Sequence, residues 1–229
     1  MVIASALLIG FEDCQYCNAA LDLLQQSGFD TSVCWASKNR RTKLPEIIEK
    51  WNGDYIFHLK SYHIIPKETI ERTRSGVINF HPSPPRYPGS GGLNWGLYNN
   101  DTISGVTVHY MNEKIDNGAI IQFYKTEITK EDNIQKLLPK IHKLQYSAFC
   151  DIIEKIATHG HDLIKNMSDN YNEETWGTKT GRIRDIDKME IVSENTSKEE
   201  LKRVTRATLI GPFGPKMILH NKVFRLSGD

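Results

Sequence analysis

The first 125 residues alternate short apolar runs with segments of helical periodicity, and this alternation constrains the fold more than any other feature of the chain. Strands are predicted at 4–11, 31–37, 54–62, 76–80, 104–111 and 119–128, and helices at 17–28, 43–51, 66–74 and 92–100. Strands separated by helices build a mainly parallel sheet flanked by helices, which is an α/β Rossmann-like fold. No helical pattern separates the last two strands, so one of them is expected to run antiparallel to its neighbours.

The second half of the chain predicts a small appendage on this sheet. A long helical pattern covers 134–156, and residues 162–196 are polar and poor in pattern. A helix is predicted to begin at Ser197, with Glu200 completing a capping box, and two short strands follow within 217–226. We therefore expect a catalytic domain over 1–160 and a small α+β extension with a helix and a β-hairpin over 161–229.

Charge and hydropathy narrow the classes of partner. Lys and Arg number 29 and Asp and Glu 28, for a net charge of +1, whereas nucleic-acid-binding domains usually carry a strongly basic footprint. The apolar start MVIASALLIG is too short to span a membrane, and it lacks the basic residues that open a signal peptide. These features predict a cytoplasmic protein with no nucleic-acid and no membrane partner.

The cysteines and the paired histidines are candidates for metal or redox sites. Cys14 and Cys17 form a C-x-x-C pair, but no second pair supplies the remaining ligands of a structural zinc site. A redox role of this pair stays open beside the simpler interpretation of reduced, structural thiols. The sequence His159-Gly160-His161 favours a helix end over a metal site, so no metal is predicted.

Three polar features fall where predicted strands end. Asn79 and His81 end the fourth strand, Asp116 lies in the loop between the last two strands, and residues 60–63 end the third. In open α/β sheets the functional crevice lies beyond the carboxyl ends of the strands. There an asparagine amide can stabilise an oxyanion, a histidine can carry a proton, and a carboxylate can orient the histidine. Polar residues that merely cap the loop remain the alternative.

No covalent nucleophile is indicated near this loop. The chain has no G-x-S-x-G elbow, and none of its cysteines lies close in sequence. The remaining chemistry is direct attack of a substrate nucleophile on a bound acyl donor. Neither a dinucleotide fingerprint nor a phosphate loop follows the first strand.

The stretch GVINFHPSPPRYPGSGGLNWGLYNNDTISGVTVHYMNEKIDNGAIIQ resembles the core signature of the folate-dependent formyltransferases. In that family a strand ends in Asn-x-His, a Pro-rich loop follows, and an Asp-x-Gly comes in a later loop. The resemblance implies transfer of a formyl group from 10-formyltetrahydrofolate, a co-substrate, to an amine. It assigns oxyanion stabilisation to Asn79, proton transfer to His81, and orientation of His81 and proton relay to Asp116.

The resemblance also implies a folate pocket, because LKSYHIIP matches the stretch that lines it in the family. The pterin is expected between this stretch and NEKID, held largely by backbone groups. The residues implied in folate binding are Ser61, Tyr62, His63, Ile65, Glu113, Lys114 and Asp116.

Three branches of the family differ in the amine. The methionyl-tRNA branch carries a sizeable C-terminal barrel and a basic face, whereas here only residues 160–229 follow the long helix. The glycinamide ribonucleotide branch has a glycine-rich phosphate loop after the first strand, where this chain has LLIGFEDCQYC. The third branch formylates nucleotide-linked amino sugars, and it resembles this chain in GLNWGLYNN and in the segment from Arg206 to Pro215 before the hairpin.

The expected acceptor is dTDP-4-amino-4,6-dideoxyglucose, for the O-antigen of bacterial lipopolysaccharide. The residues expected at the acceptor are Ser83, Arg86, Tyr87, Asn94, Trp95, Arg206 and Phe213. A homodimer through the C-terminal piece is compatible with the resemblance. A glycinamide ribonucleotide formyltransferase-like enzyme and a catalytically silent folate-binding module remain the alternatives.

Overall fold

The computed structural model describes residues 2–37, 39 and 42–226. The strands within these residues are β1 (Ser5–Gly10), β2 (Asp30–Trp35), β3 (Tyr55–His58), β4 (Val77–His81), β5 (Ile103–Tyr110), β6 (Ile120–Glu127), β7 (Lys216–Leu219) and β8 (Lys222–Arg225). The helices are α1 (Gln15–Gln26), α2 (Glu46–Glu49), α3 (Lys67–Arg72), α4 (Gly92–Tyr98), α5 (Ile134–His159), α6 (His161–Asp169), α7 (Ile183–Met189) and α8 (Lys198–Thr208).

Six strands form one sheet in the order β2-β1-β3-β4-β5-β6, while β7 and β8 pair separately. The strands from β2 to β4 are parallel, and β5 runs antiparallel to both β4 and β6. The expectation of one antiparallel strand among the last two is therefore confirmed, as is the α/β class. Within the described residues, no helix has the length and apolarity needed to cross a bilayer.

The α5 helix is the main support of the sheet beneath the ends of β3 and β4. Its buried side is almost entirely apolar, and the ring of Phe149 packs against Phe57 and Phe80 with centroids 5.8 and 5.2 Å away. Gly160 takes a positive φ of 78°, which ends α5 and starts α6. The helix end predicted at His159-Gly160-His161 is thus present.

Two helices interrupt the polar stretch for which no period was predicted. These are α6 and α7. They are nine and seven residues long and contain three apolar residues each, which is too short a pattern for a helical period to be recognised in the sequence. The capping box predicted at α8 is only half formed. The Ser197 hydroxyl accepts from the Glu200 amide at 3.1 Å, but the Glu200 carboxylate accepts from the Tyr98 hydroxyl at 2.6 Å instead of reaching back to Ser197.

Part of the C-terminal extension lies directly against the proline-rich loop that follows β4. The amide of Gly181 donates to the Pro88 carbonyl at 2.7 Å, and the amide of Ser90 donates to the Gly181 carbonyl at 2.9 Å. A Cβ at Gly181 would lie 2.4 Å from the Ser90 carbonyl oxygen, so this approach requires glycine. The extension therefore helps to hold the loop in place.

A buried carboxylate reinforces the main-chain hydrogen bonds that attach the hairpin of β7 and β8 at Lys216. Glu190 is 1% exposed, and its Oε2 accepts from Lys216 Nζ at 3.0 Å and from Arg225 Nη1 at 2.9 Å. A buried carboxylate is tolerated only when it is paired and hydrogen-bonded. Glu190 therefore joins α7 to the hairpin.

We expect Glu190→Ala to lower the free energy of unfolding by about 3 kcal/mol, because it leaves two cations without their common partner. Urea unfolding should show this loss, and limited proteolysis should cut the hairpin first. The exposed Glu194→Ala is the matched control and should change the free energy by less than about 0.5 kcal/mol. Equal stability of the two variants would contradict this role of Glu190.

Candidate active site

A cavity of about 650 Å³ opens at the carboxyl ends of β3 and β4. Asn79, His81 and Asp116 all line it, so the structure brings together the three residues that the sequence placed at one edge. Asn79 and His81 lie two residues apart on β4 and therefore share a face of the sheet. A cavity of this size is typical of sites for small-molecule ligands.

The turn after β5 places Asp116 against β4. Asp116 has a φ of 42°, in the left-handed region that costs energy for most side chains. Its Oδ2 accepts from the Gly89 amide at 2.8 Å, and its Oδ1 accepts from Asn79 Nδ2 at 3.2 Å. Gly118 completes the turn, where a Cβ would lie 1.7 Å from the Tyr110 carbonyl oxygen. The strain at Asp116 is thus held by contacts from two other segments.

Both hydrogens of the Asn79 amide are engaged. Besides Asp116, Nδ2 faces His109 Nε2 at 3.0 Å, while Oδ1 faces His58 Nδ1 at 3.0 Å. The carboxylate can only accept, which fixes Nδ2 on the Asp116 side and Oδ1 on the His58 side. Burial lowers the pKa of His58, so its neutral ring donates the Nδ1 hydrogen to Asn79.

His81 lies between two oxygen acceptors. Its Nε2 is 3.0 Å from the Tyr87 carbonyl, and its Nδ1 is 3.3 Å from Asp116 Oδ2. The carbonyl can only accept, so Nε2 carries a hydrogen and Nδ1 is left facing the carboxylate. Burial lowers the pKa of His81, and this effect outweighs the opposing influence of Asp116. At neutral pH the Nδ1 atom is therefore a free base beside a carboxylate.

Asp116 itself stays ionised. Burial alone would raise the pKa of the Asp116 carboxyl, but His81 and His109, together with a backbone amide, lower it well below its ordinary value. A carboxyl with so low a pKa is a poor proton acceptor and a good holder of neighbouring positive charge.

His109 and Trp176 belong to the site, although sequence reasoning did not assign them. His109 Nδ1 lies 2.8 Å from the Tyr110 carbonyl, so it carries the hydrogen and Nε2 accepts from Asn79. The Trp176 indole covers the His109 ring edge-on, with centroids 4.8 Å apart, and donates to the Gly118 carbonyl at 2.7 Å. Trp176 comes from the extension, where no motif marked it.

The residues predicted from the folate resemblance share one property, which is that they line the cavity. They are Ser61, Tyr62, His63, Ile65, Glu113, Lys114 and Asp116. The first four follow β3, where the Ser61 hydroxyl accepts from the His63 amide at 2.9 Å and folds the segment back. The two stretches that contain these residues thus face one space, and their contact with folate stays a prediction.

The seven residues predicted at the acceptor divide into two groups. Ser83 and Asn94 line the cavity, and Asn94 also donates to the Ala207 carbonyl at 2.7 Å. The other five do not line it, namely Arg86, Tyr87, Trp95, Arg206 and Phe213. Phe213 is 54% exposed, and the Trp95 ring packs edge-on against Tyr98 with centroids 5.7 Å apart.

The two arginines proposed for a diphosphate are already engaged in the structure. Arg86 donates to Asp101 Oδ2 at 3.0 Å and to the Ile103 carbonyl at 2.8 Å. Arg206 donates to the Asp132 carbonyl at 2.7 Å and to two further oxygens between α4 and α5. Both guanidinium groups thus hold loops together in the structure, and their diphosphate role stays a prediction.

The Cys14 and Cys17 pair lies at the start of α1, where Cys14 is the N-cap and Cys17 is fully buried. Cys14, Cys17, Cys34 and Cys150 are free thiols. Across the described residues, no three His, Cys, Asp or Glu side chains are placed to hold a metal ion. A redox role of the pair remains a prediction without a test.

Comparisons with known proteins agree on one family. The model of the formyl transferase family matches residues 14–153. The chain is 34% identical over 115 residues to the methionyl-tRNA formyltransferase of Syntrophus aciditrophicus, which covers 50% of this chain and 37% of that protein. The chain spans less than half the length of the first curated relatives that it matches.

Solved structures share the fold over almost the whole chain. A 4-N formyltransferase from Francisella tularensis has a TM-score of 0.74 at 18% identity, covering 100% of this chain and 99% of that one. The N-formyltransferase from Helicobacter canadensis, in complex with folinic acid and dTDP-3-aminofucose, has a TM-score of 0.68 at 19% identity, with coverage of 90% and 80%.

We expect Asp116→Asn to lower the free energy of unfolding by about 1–3 kcal/mol at pH 7, because an amide has only one acceptor oxygen and cannot serve both Asn79 and Gly89. The pKa of Asp116 is lower in the folded protein than in the unfolded chain, where it is about 3.9. The ionised carboxylate therefore stabilises the fold fully above the unfolded-state pKa, and this stabilisation is lost as the pH falls through the folded-state pKa. The deficit should therefore shrink in acid. Urea unfolding from pH 7 downwards measures it, with the exposed Asp187→Asn as control. A deficit independent of pH would contradict the assignment.

Proposed function

Because the chain belongs to the formyl transferase family, we propose that it transfers a formyl group from 10-formyltetrahydrofolate to the amino group of a nucleotide-linked amino sugar. The observation that carries the proposal is the buried cluster of Asn79, His81 and Asp116 at the cavity wall. Asn79 Nδ2 and His81 Nδ1 lie 3.2 and 3.3 Å from the Asp116 carboxylate, so an oxyanion donor and a free base each face one fixed carboxylate. These groups suit attack of an amine on a formyl carbon.

In this proposal Asn79 stabilises the negative charge that develops on the formyl oxygen. Its Nδ2 hydrogens are bound to Asp116 and His109 in the structure, and the second of these contacts is the one that can be exchanged. An N–H donor in a buried, water-poor site stabilises an oxyanion strongly, because it needs no reorganisation during the reaction. His58 keeps the amide from rotating by occupying Oδ1.

His81 takes the proton that the amine loses after it has attacked. The free Nδ1 faces Asp116 Oδ2 at 3.3 Å, so protonation there produces an imidazolium directly beside a carboxylate. Asp116 stays ionised and holds the charge, since its pKa is too low for it to keep the proton. The amine must attack as the neutral base, so acid should slow the reaction by protonating both the amine and His81.

The volume and the lining of the cavity support a folate co-substrate. Its wall includes the residues after β3 and those before Asp116, and both stretches offer backbone donors and acceptors. The volume of about 650 Å³ suits a pterin and the acceptor group beside it. The formyl carbon would form its bond to the amine nitrogen as its bond to N10 of the co-substrate breaks. Tetrahydrofolate would leave with N10 protonated by the proton that His81 took from the amine, while the residues described above orient the reaction.

The extent of the match with solved formyltransferase structures supports an amino-sugar acceptor. The Francisella protein, described as a 4-N formyltransferase, is matched over nearly its whole length, and the Helicobacter protein was solved with dTDP-3-aminofucose. We propose dTDP-4-amino-4,6-dideoxyglucose as the acceptor and surface polysaccharide as the destination. Formylation of methionyl-tRNA is the second candidate, because curated relatives that are 34% identical over about half of this chain carry that name.

The first test is a screen of acceptors with 10-formyltetrahydrofolate. Mass spectrometry should show that dTDP-4-amino-4,6-dideoxyglucose gains one formyl group. The matched arms are dTDP-3-aminofucose, glycinamide ribonucleotide and charged initiator methionyl-tRNA. Formylation of methionyl-tRNA alone would overturn the amino-sugar proposal. Folate binding without transfer to any arm would identify a silent folate-binding protein.

We expect His81→Asn to lower kcat by about 10²–10⁴-fold, which is the range for loss of a positioned proton carrier. Asparagine keeps polarity at the site but cannot take the amine's proton. The control is His159→Asn, at an exposed position at the end of α5, which should leave kcat unchanged. Circular dichroism and urea unfolding would establish that both variants are folded. A folded His81→Asn variant with near-normal kcat would remove His81 from the mechanism.

A further inference from the structure

Gln145 is a buried polar side chain on the otherwise apolar side of α5. The buried positions of this helix are aliphatic or aromatic apart from Gln145, which is 2% exposed. Burying a polar group is costly unless it finds hydrogen-bond partners. Its presence there calls for a specific role at the sheet surface that α5 covers.

The amide of Gln145 joins two strand ends. The pairing of β3 with β4 reaches as far as His58 and Asn79. One residue further along each strand, Gln145 Nε2 donates to the Leu59 carbonyl at 2.9 Å and to the Phe80 carbonyl at 2.6 Å. The side chain thus links the two chains at the point where the ladder between them stops. Among the described residues, Gln145 Oε1 has no hydrogen-bond partner.

Both linked carbonyls belong to segments of the candidate active site. Phe80 lies between Asn79 and His81, so the position of its peptide groups sets the direction of both side chains. Leu59 precedes the segment 60–63, which lines the cavity on the folate side. A change in the separation of these two carbonyls would move the base and oxyanion donor relative to the formyl donor.

We propose that Gln145 is a positioning residue for formyl transfer, which sets the distance between the ends of β3 and β4 through its two N–H donors. This inference rests on the proposed function. Gln145 touches no reacting atom in this proposal and acts through the main chain of Phe80 and Leu59. Misplacement of reacting groups by about 1 Å can cost about 10²-fold in rate even when the substrates still bind.

The decisive variant is Gln145→Met, which keeps the length and much of the volume of the side chain and removes both donors. We expect kcat to fall by about 10–10²-fold, with each KM changed by less than about threefold. The control Ile156→Val loses packing three helical turns further along α5, at a buried position away from Phe80 and Leu59, and leaves both carbonyl contacts in place. It should lower stability without lowering kcat.

A second variant, Gln145→Glu, gives a pH signature that a packing defect would not produce. When ionised, the introduced carboxylate would face two carbonyl oxygens, and burial would raise its pKa. When protonated, it can donate one hydrogen to one of the carbonyls. The ratio of kcat for this variant to that of the wild type should therefore be highest in acid and should fall as the pH rises.

A readout independent of turnover separates failure of this inference from failure of the proposed function. Histidine NMR, with His81 assigned from the His81→Asn spectrum, should show a changed titration of His81 in Gln145→Met and an unchanged one in Ile156→Val. If the wild type transfers no formyl group, this titration still tests the positioning role. An unchanged titration would overturn it, and so would normal kcat in folded Gln145→Met.

Discussion

The candidate site depends on one buried carboxylate that joins three separate segments. Asp116 accepts from Asn79 on β4 and from the Gly89 amide in the proline-rich loop, and it faces His81. An unpaired carboxylate at this depth would cost several kcal/mol, so the turn, the strand and the loop are kept together by the need to satisfy it. The left-handed backbone at Asp116 persists because these contacts outweigh its strain.

The sequence predicted a mainly parallel sheet with one antiparallel strand. It also predicted that Asn79, His81 and Asp116 meet at one edge of the sheet, because the ends of strands follow directly from the apolar runs. It did not predict the contacts of His58 or His109 with Asn79. Asn79 on β4 lies opposite His58 on β3 and opposite His109 on β5, so the three residues form one row across the sheet. Such a row depends on strand register, and register is set by packing and turn geometry that a single sequence does not reveal.

The side chains whose contacts the sequence could not predict are cations and aromatics at loops. Arg86 and Arg206 looked free to bind a diphosphate, since a sequence shows no carbonyl oxygen or loop carboxylate that will face a guanidinium. Trp176 was missed for the converse reason, because it reaches the site from a polar stretch without periodicity. Contacts between residues distant in sequence decide both outcomes, and no local pattern encodes them.

The engaged state of Asn79 bears on how such a site could favour the transition state over the ground state. A neutral formyl oxygen gains little by displacing His109 Nε2, since it would replace one neutral acceptor with another. An oxyanion is the stronger acceptor, because charge-assisted hydrogen bonds are about twice as strong as neutral ones. The exchange therefore becomes favourable only as negative charge develops, which is the condition under which binding energy accelerates the chemical step. The contact with Asp116 does not exchange in this way, because its loss would leave a buried carboxylate short of a donor.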